Sequence, residues 1–194
     1  MNNPLFKIIL VILSLLPGTS LCAEVNSVKV SQEKGVYHMH INMTVTADAD
    51  SIKRIITDYE NLTLTNPYLK ESKLINKSED ERTTVSMLTE ICIFLICYNI
   101  RHVQTFYFIN NNVLYSRIIP GMSDFKSGWL RWEIKEKDSN RISPDTQIIF
   151  DTEVIPDFFI PPVIGPYQVK KKMFEIAKAT INNLEEKSNN IISR

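Results

Sequence analysis

The sequence predicts an α+β fold in which one long C-terminal helix covers a curved antiparallel sheet. Three observations point to it. Residues 36–46 alternate apolar and polar with period two, and further strand-like runs follow one another from Tyr68 to Val154. Breaks rich in Asn, Asp, Ser, Gly and Pro separate those runs as hairpin connections do. The only long amphipathic segment comes last, and a curved sheet needs its concave face covered.

In chain order, a short leading strand near 28–31 turns at Lys34–Gly35 into the strand 36–46. That strand sets Tyr37, Met39, Ile41, Met43 and Val45 on one face, with His38, His40, Asn42 and Thr44 on the other. Asp48 can cap a helix running through Lys53–Tyr59, whose buried stripe is Ile52, Ile55 and Ile56. An irregular stretch ends at Asn66–Pro67. Strands are then expected at 69–77, 83–92, 97–109, 113–120, 127–137 and 146–154. The apolar loop Phe158–Pro166 leads into a helix over 167–187. Its inner stripe is Val169, Met173, Ile176, Ala177, Thr180 and Leu184, with Lys170–Lys172, Glu175, Lys178 and Glu185 facing out.

Residues 1–22 stand outside this fold. Lys7, the apolar run Ile8–Leu16, the breaker Pro17–Gly18 and small residues up to Cys22 follow the grammar of a secretory signal peptide. The run is too short for a membrane anchor, which needs about 20 apolar residues. Cleavage after Cys22 or Ala23 would leave 23–194 as a single exported domain, periplasmic in a bacterial cell. Only one charge, Lys7, leaves with the leader.

Composition narrows the function. Lys and Arg number 22, and Asp and Glu also number 22, so no basic excess points to nucleic acid. Five glycines and no phosphate-loop string speak against a nucleotide site. Three histidines and three cysteines are thin material for a metal centre, and no cofactor is expected. No nucleophile elbow, Cys–His pattern or spaced carboxylate pair is present, so no catalytic residue is assigned.

The segments TDYENLTLTNPYLKESKLI, YSRIIPGMSDFKSGWLRWEI and PDFFIPPVIGPYQVKKKMFEIAKATINNLE, in this order, resemble the START-like, polyketide-cyclase (SRPBCC) superfamily. Its coenzyme-Q-binding START-domain branch is the nearest in kind. The resemblance covers residues 28–187. It implies a helix-grip fold: a curved antiparallel sheet wrapped around the C-terminal helix, with two short helices after the first strand and an apolar cavity between the layers. The superfamily's ligands include sterols, phospholipids, quinones and plant hormones, and some members are cyclases.

Within that frame the cavity candidates are Met39, Met43, Tyr68, His102, Phe106 and Arg117, together with Trp132, Phe150, Phe158, Met173 and Ile176. His102 reads either as a hydrogen-bonded core histidine or as a polar group inside the cavity. Arg117 reads as a surface ion-pair partner or as the anchor of a ligand's head. His38 and His40 share a strand face without an evident third metal ligand.

Thr83–Ile109 is too long for one strand, so a turn lies inside it. On a straight strand Cys92 and Cys97 would be about 17 Å apart, whereas across a hairpin loop they face one another at bonding distance. An exporting compartment favours a disulfide; the alternative is two buried free thiols. The loop so closed carries Phe94 and Leu95, and a second apolar loop carries Phe159 and Ile160. Both either pack inward or form a rim that meets a membrane or partner. The expected function is carriage or sensing of a hydrophobic small molecule (lipid, quinone or fatty acyl) by a monomer. The alternatives are a cyclase- or hydrolase-like enzyme using the same cavity, and an interaction module whose cavity is filled by its own side chains.

Overall fold

The computed structural model describes residues 24–93, 96–138, 144–161 and 165–192. The expected leader at 1–22 and the tip residues Phe94 and Leu95 lie outside the described residues. The strands are β1 (Glu24–Glu33), β2 (Val36–Thr46), β3 (Leu69–Lys77), β4 (Thr83–Ile93), β5 (Ile96–Asn110), β6 (Val113–Ile118), β7 (Phe125–Asp138) and β8 (Asp145–Pro156). Helix α1 (Ala49–Thr57) and a 3-10 turn (Leu62–Leu64) follow β2, and α2 (Gly165–Ile192) closes the chain. All strand pairs are antiparallel, in the spatial order β1-β2-β8-β7-β6-β5-β4-β3.

The leading strand is longer than expected, because β1 pairs with β2 along nearly its whole length. Lys34 and Gly35 connect them with φ of 49° and 84°. Two successive positive φ values make the mirror-image hairpin turn whose twist matches that of the strands. In place of two short helices after the first strand there is one helix and one 3-10 turn, both after the second strand. The pairing Met43↔Ile148 then sets β2 beside β8, the last strand of the meander.

Asp48 caps α1: its Oδ1 accepts from the Ser51 amide at 2.7 Å and its Oδ2 from the Ser51 hydroxyl at 2.7 Å. Burial raises this carboxyl, but the two Ser51 hydrogen bonds and the Arg54 charge outweigh it and hold Asp48 below the usual carboxylate range. Ile52, Ile55 and Ile56 are buried, as the periodicity predicts.

Helix α2 runs about a turn beyond the expected end and packs on β1, β2 and α1. Ala177, Ile181 and Leu184 are its buried apolar residues. The outward placement expected for Glu185 is wrong: it is 6% exposed, because it lies one turn on from Ile181 along the buried stripe. The core fills the concave side with Ile41, Met43, Val45, Val85, Met87, Phe106, Leu114, Ile134 and Ile148.

Candidate functional site

The alternation of each strand aims one row of side chains at α2, and those rows do not close on the helix. Among the described residues two chambers remain between sheet and helix. The inner one, about 230 Å³, is lined by Met43, Met87, Phe106, Leu130, Trp132 and Phe150 from the sheet and by Ala177, Thr180, Ile181 and Leu184 from α2. The outer one, about 450 Å³, is lined by Ile91, Tyr98, Ile100, Ile118, Phe125 and Val154, by Phe158–Pro161 and by Val169, Lys172 and Met173. Met39, Asn66, His102, Gln104 and Ile176 line both, so the chambers adjoin. Trp132 and Phe150, paired across β7 and β8, meet edge to face at 4.7 Å in the inner wall.

At the junction a polar chain crosses three strands. The Ser116 hydroxyl on β6 donates to Gln104 Oε1 at 2.5 Å, and Gln104 Nε2 lies 3.0 Å from His102 Nδ1. His102 Nε2 lies 2.9 Å from the Thr89 hydroxyl on β4. An amide nitrogen has no lone pair to offer, so Nδ1 accepts and Nε2 carries the ring proton, donating to Thr89. Burial pushes the His102 imidazole down to about 4, opposed only in part by the Asp124 carboxylate. His102 is therefore a neutral, hydrogen-bonded group in the cavity wall, which satisfies both readings of it at once.

Of the sequence-predicted candidates, Met39, Met43, His102, Phe106, Trp132, Phe150, Phe158, Met173 and Ile176 line the chambers. Two do not. Arg117 is exposed on the convex face beside Trp129, since parity with inward Ser116 turns it outward. Tyr68 sits under Lys172, whose Nζ lies 5.8 Å from its ring centre and 2.6 Å from Glu175 Oε2. Sequence reasoning missed Asn66, Thr89, Gln104, Leu130 and Lys172 as lining residues, and Ser116 behind them. Thr89, Gln104 and Ser116 were findable as polar residues at inward positions of otherwise apolar strands.

The mouth is aromatic. Phe125 contacts His102 at 6.3 Å and Phe158 at 6.1 Å, leading from the junction to the loop before α2. Phe159, on that loop, is 81% exposed. The same end of the sheet carries the Cys92–Cys97 disulfide, and backbone pairing continues beyond it to Ile93↔Ile96. Asp124 accepts from the Arg101 amide at 2.7 Å, tying the β6–β7 connection to β5.

On the convex face His40 Nδ1 lies 2.6 Å from Asp151 and His38 Nδ1 3.4 Å from Glu153. Among the described residues no three His, Cys, Asp or Glu side chains group as metal ligands. No described helix is long and apolar enough to cross a membrane.

No protein-family model and no curated protein matches the chain. Solved structures do. The Zhui aromatase/cyclase of Streptomyces sp. R1128 superimposes with a TM-score of 0.67 at 11% identity, covering 81% of this chain and 96% of its own. A START superfamily protein from Mycobacterium smegmatis gives 0.60 at 18% identity, covering 79% and 98%. A STAR-related lipid transfer protein fragment from Xanthomonas axonopodis gives 0.53 at 12% identity, covering 82% and 99%. The chain has the START-like, helix-grip fold.

At these identities the likeness speaks for the START-like architecture, while the side chains that line its cavity are this chain's own. The sheet is open, with β1 and β3 as its edges, and α2 lies across the concave side. Among the described residues no side chain fills either chamber.

Proposed function

We propose that this START-like protein is an exported carrier of a hydrophobic small molecule of lipid, quinone or fatty-acyl type. The single observation behind this reading is the pair of adjoining apolar chambers between sheet and α2. A ligand of about sixteen methylenes, at about 0.8 kcal/mol each, gains about 13 kcal/mol on leaving water. Association costs of at least about 4 kcal/mol leave micromolar binding or a little better. Met43, Phe106, Trp132 and Phe150 hold the deep end of the ligand, Met39 and Ile176 its middle, and Met173 and Phe158 its outer end. Tyr68 acts from the rim through Lys172, and Arg117 takes no part.

Export is supported by the three-part pattern of residues 1–22 and by the Cys92–Cys97 bond, which persists in oxidising compartments. Phe159 and Ile160 at the mouth form the surface that touches a membrane during loading and release. The fold's occurrence in aromatase/cyclases keeps a catalytic use of the cavity as the second reading, and turnover of the identified ligand would promote it.

The test is mass spectrometry of solvent-extracted protein purified from its native host. A stoichiometric apolar molecule is expected. An empty protein that also fails to take up any lipid from vesicles would overturn the carrier reading. Phe159→Ser should change stability by less than about 0.5 kcal/mol, as exposed substitutions do, yet slow ligand transfer to liposomes. Unchanged transfer rates would remove the membrane contact from the proposal.

A further inference from the structure

The polar chain at the chamber junction has a direction, and the direction says what it can bind. Ser116 is fully buried, Gln104 is 6% exposed and Thr89 8%. Ser116 donates to Gln104, Gln104 to His102, and His102 to the Thr89 oxygen. Ser116 and His102 each spend their one proton on the next member, and Gln104 one of its two N–H groups, so the chain ends at Thr89 with a hydroxyl proton still to give. Thr89 lines the outer chamber, next to the junction.

A second donor stands at the same place. Asn66 lines both chambers and its Oδ1 accepts from the Tyr68 amide at 3.0 Å, which leaves its NH₂ group turned to other use. That group has no partner among the described residues. Asn66 is half-buried, so this NH₂ group stands free at the wall to donate to an acceptor on the ligand, a bond of about 1 kcal/mol net. Among the described residues the chamber walls carry no carboxylate, and the one cation there, Lys172, already holds Glu175 at 2.6 Å. A charged head group would thus be desolvated at the junction without a counter-charge.

Resting on the carrier reading above, we propose that the cavity selects a neutral amphiphile with a carbonyl oxygen part-way along an apolar body. The Thr89 hydroxyl and the Asn66 amide hold that oxygen at the junction. The apolar parts on either side of it occupy the inner and outer chambers. His102 and Gln104 do not touch the oxygen; they are positioning residues that orient Thr89.

The probes are three sixteen-carbon compounds: hexadecane, 8-hexadecanone and hexadecanoate. Each is measured by displacement of a polarity-sensitive dye from the delipidated protein at neutral pH. The ketone should bind at least tenfold more tightly than the carboxylate. Thr89→Val and Asn66→Ala should each weaken the ketone about five- to tenfold and leave hexadecane within twofold, the size of one net hydrogen bond. In the infrared, the bound ketone's carbonyl band should lie below its position in hydrocarbon solvent, and should move back in Thr89→Val.

Equal weakening of ketone and hexadecane would make the chain a structural device and overturn the proposal. So would an unshifted carbonyl band in the unaltered protein, or preference for the carboxylate. If hexadecane binds and the ketone shows no such dependence, this proposal alone fails. If none of the three displaces the dye, the carrier reading falls and takes this one with it.

Discussion

Replacing Ala177 by leucine asks directly whether the inner chamber is empty space or packed core. Ala177 is 4% exposed, sits on α2 and lines the chamber of about 230 Å³. Leucine adds three carbons there and is nearly as good a helix former as alanine. If those carbons enter empty apolar space, they gain about 0.8 kcal/mol each, about 2.4 kcal/mol in all. If the site is close-packed, the same change costs about 1–3 kcal/mol through forced rotamers and backbone shifts. The two cases differ in sign, so the direction of the shift alone decides between them. Urea unfolding of the delipidated protein should move to a higher midpoint with an unchanged slope. Ligand binding should weaken about 50-fold, since the ligand forfeits the same 2.4 kcal/mol of burial. A lowered midpoint with unaltered binding would refute the reasoning, because the chamber would then be filled and the ligand elsewhere.

Gly128→Ala should destabilise by about 1–3 kcal/mol in the same urea assay. Its Cβ would stand 2.6 Å from Ile118 Cδ1 and 2.9 Å from the Glu153 carbonyl oxygen, and that backbone cannot yield as a side chain can. An unchanged midpoint would contradict this close approach of β7 to β8. His102 supplies a pH dependence. Its imidazole is held down to about 4 in the fold against about 6.5 in the unfolded chain, so the unfolded state binds the proton first. Its contribution is constant above pH 6.5, falls as pH drops towards 4, and reaches a loss of about 3 kcal/mol below that. NMR of the ring should place the His102 titration midpoint near pH 4; a midpoint near 6.5 would show it solvated instead. Removing the disulfide with Cys92→Ser and Cys97→Ser should lower stability by about 2 kcal/mol, the loop-closure entropy of so short a ring. Two thiols titrating at these positions in unreduced, unfolded protein would show that the bond does not form.

Strand identity and the inward face of each strand were already written in the sequence. Alternation is a local property: a backbone extended at Met39 must turn Ile41 and Met43 the same way, whatever the rest of the chain does. That is why Met43, Phe106, Trp132 and Phe150 could be named as cavity residues without a structure, and why parity alone would have turned Arg117 outward. The Asp48 cap and the Lys34–Gly35 turn are local in the same sense, each settled within four residues. Tertiary structure decided what depends on residues far apart in the chain. Tyr68 precedes its strand, so no alternation fixes its direction, and only the approach of α2 sets it beneath Lys172. The junction unites Asn66, Thr89, His102, Gln104 and Ser116 from a loop and three strands, and their order of donors exists only once β4, β5 and β6 are in register. The chambers are likewise a matter of how far one helix stands from one sheet. That distance is set by the sum of side chains on both surfaces, and no single segment encodes it.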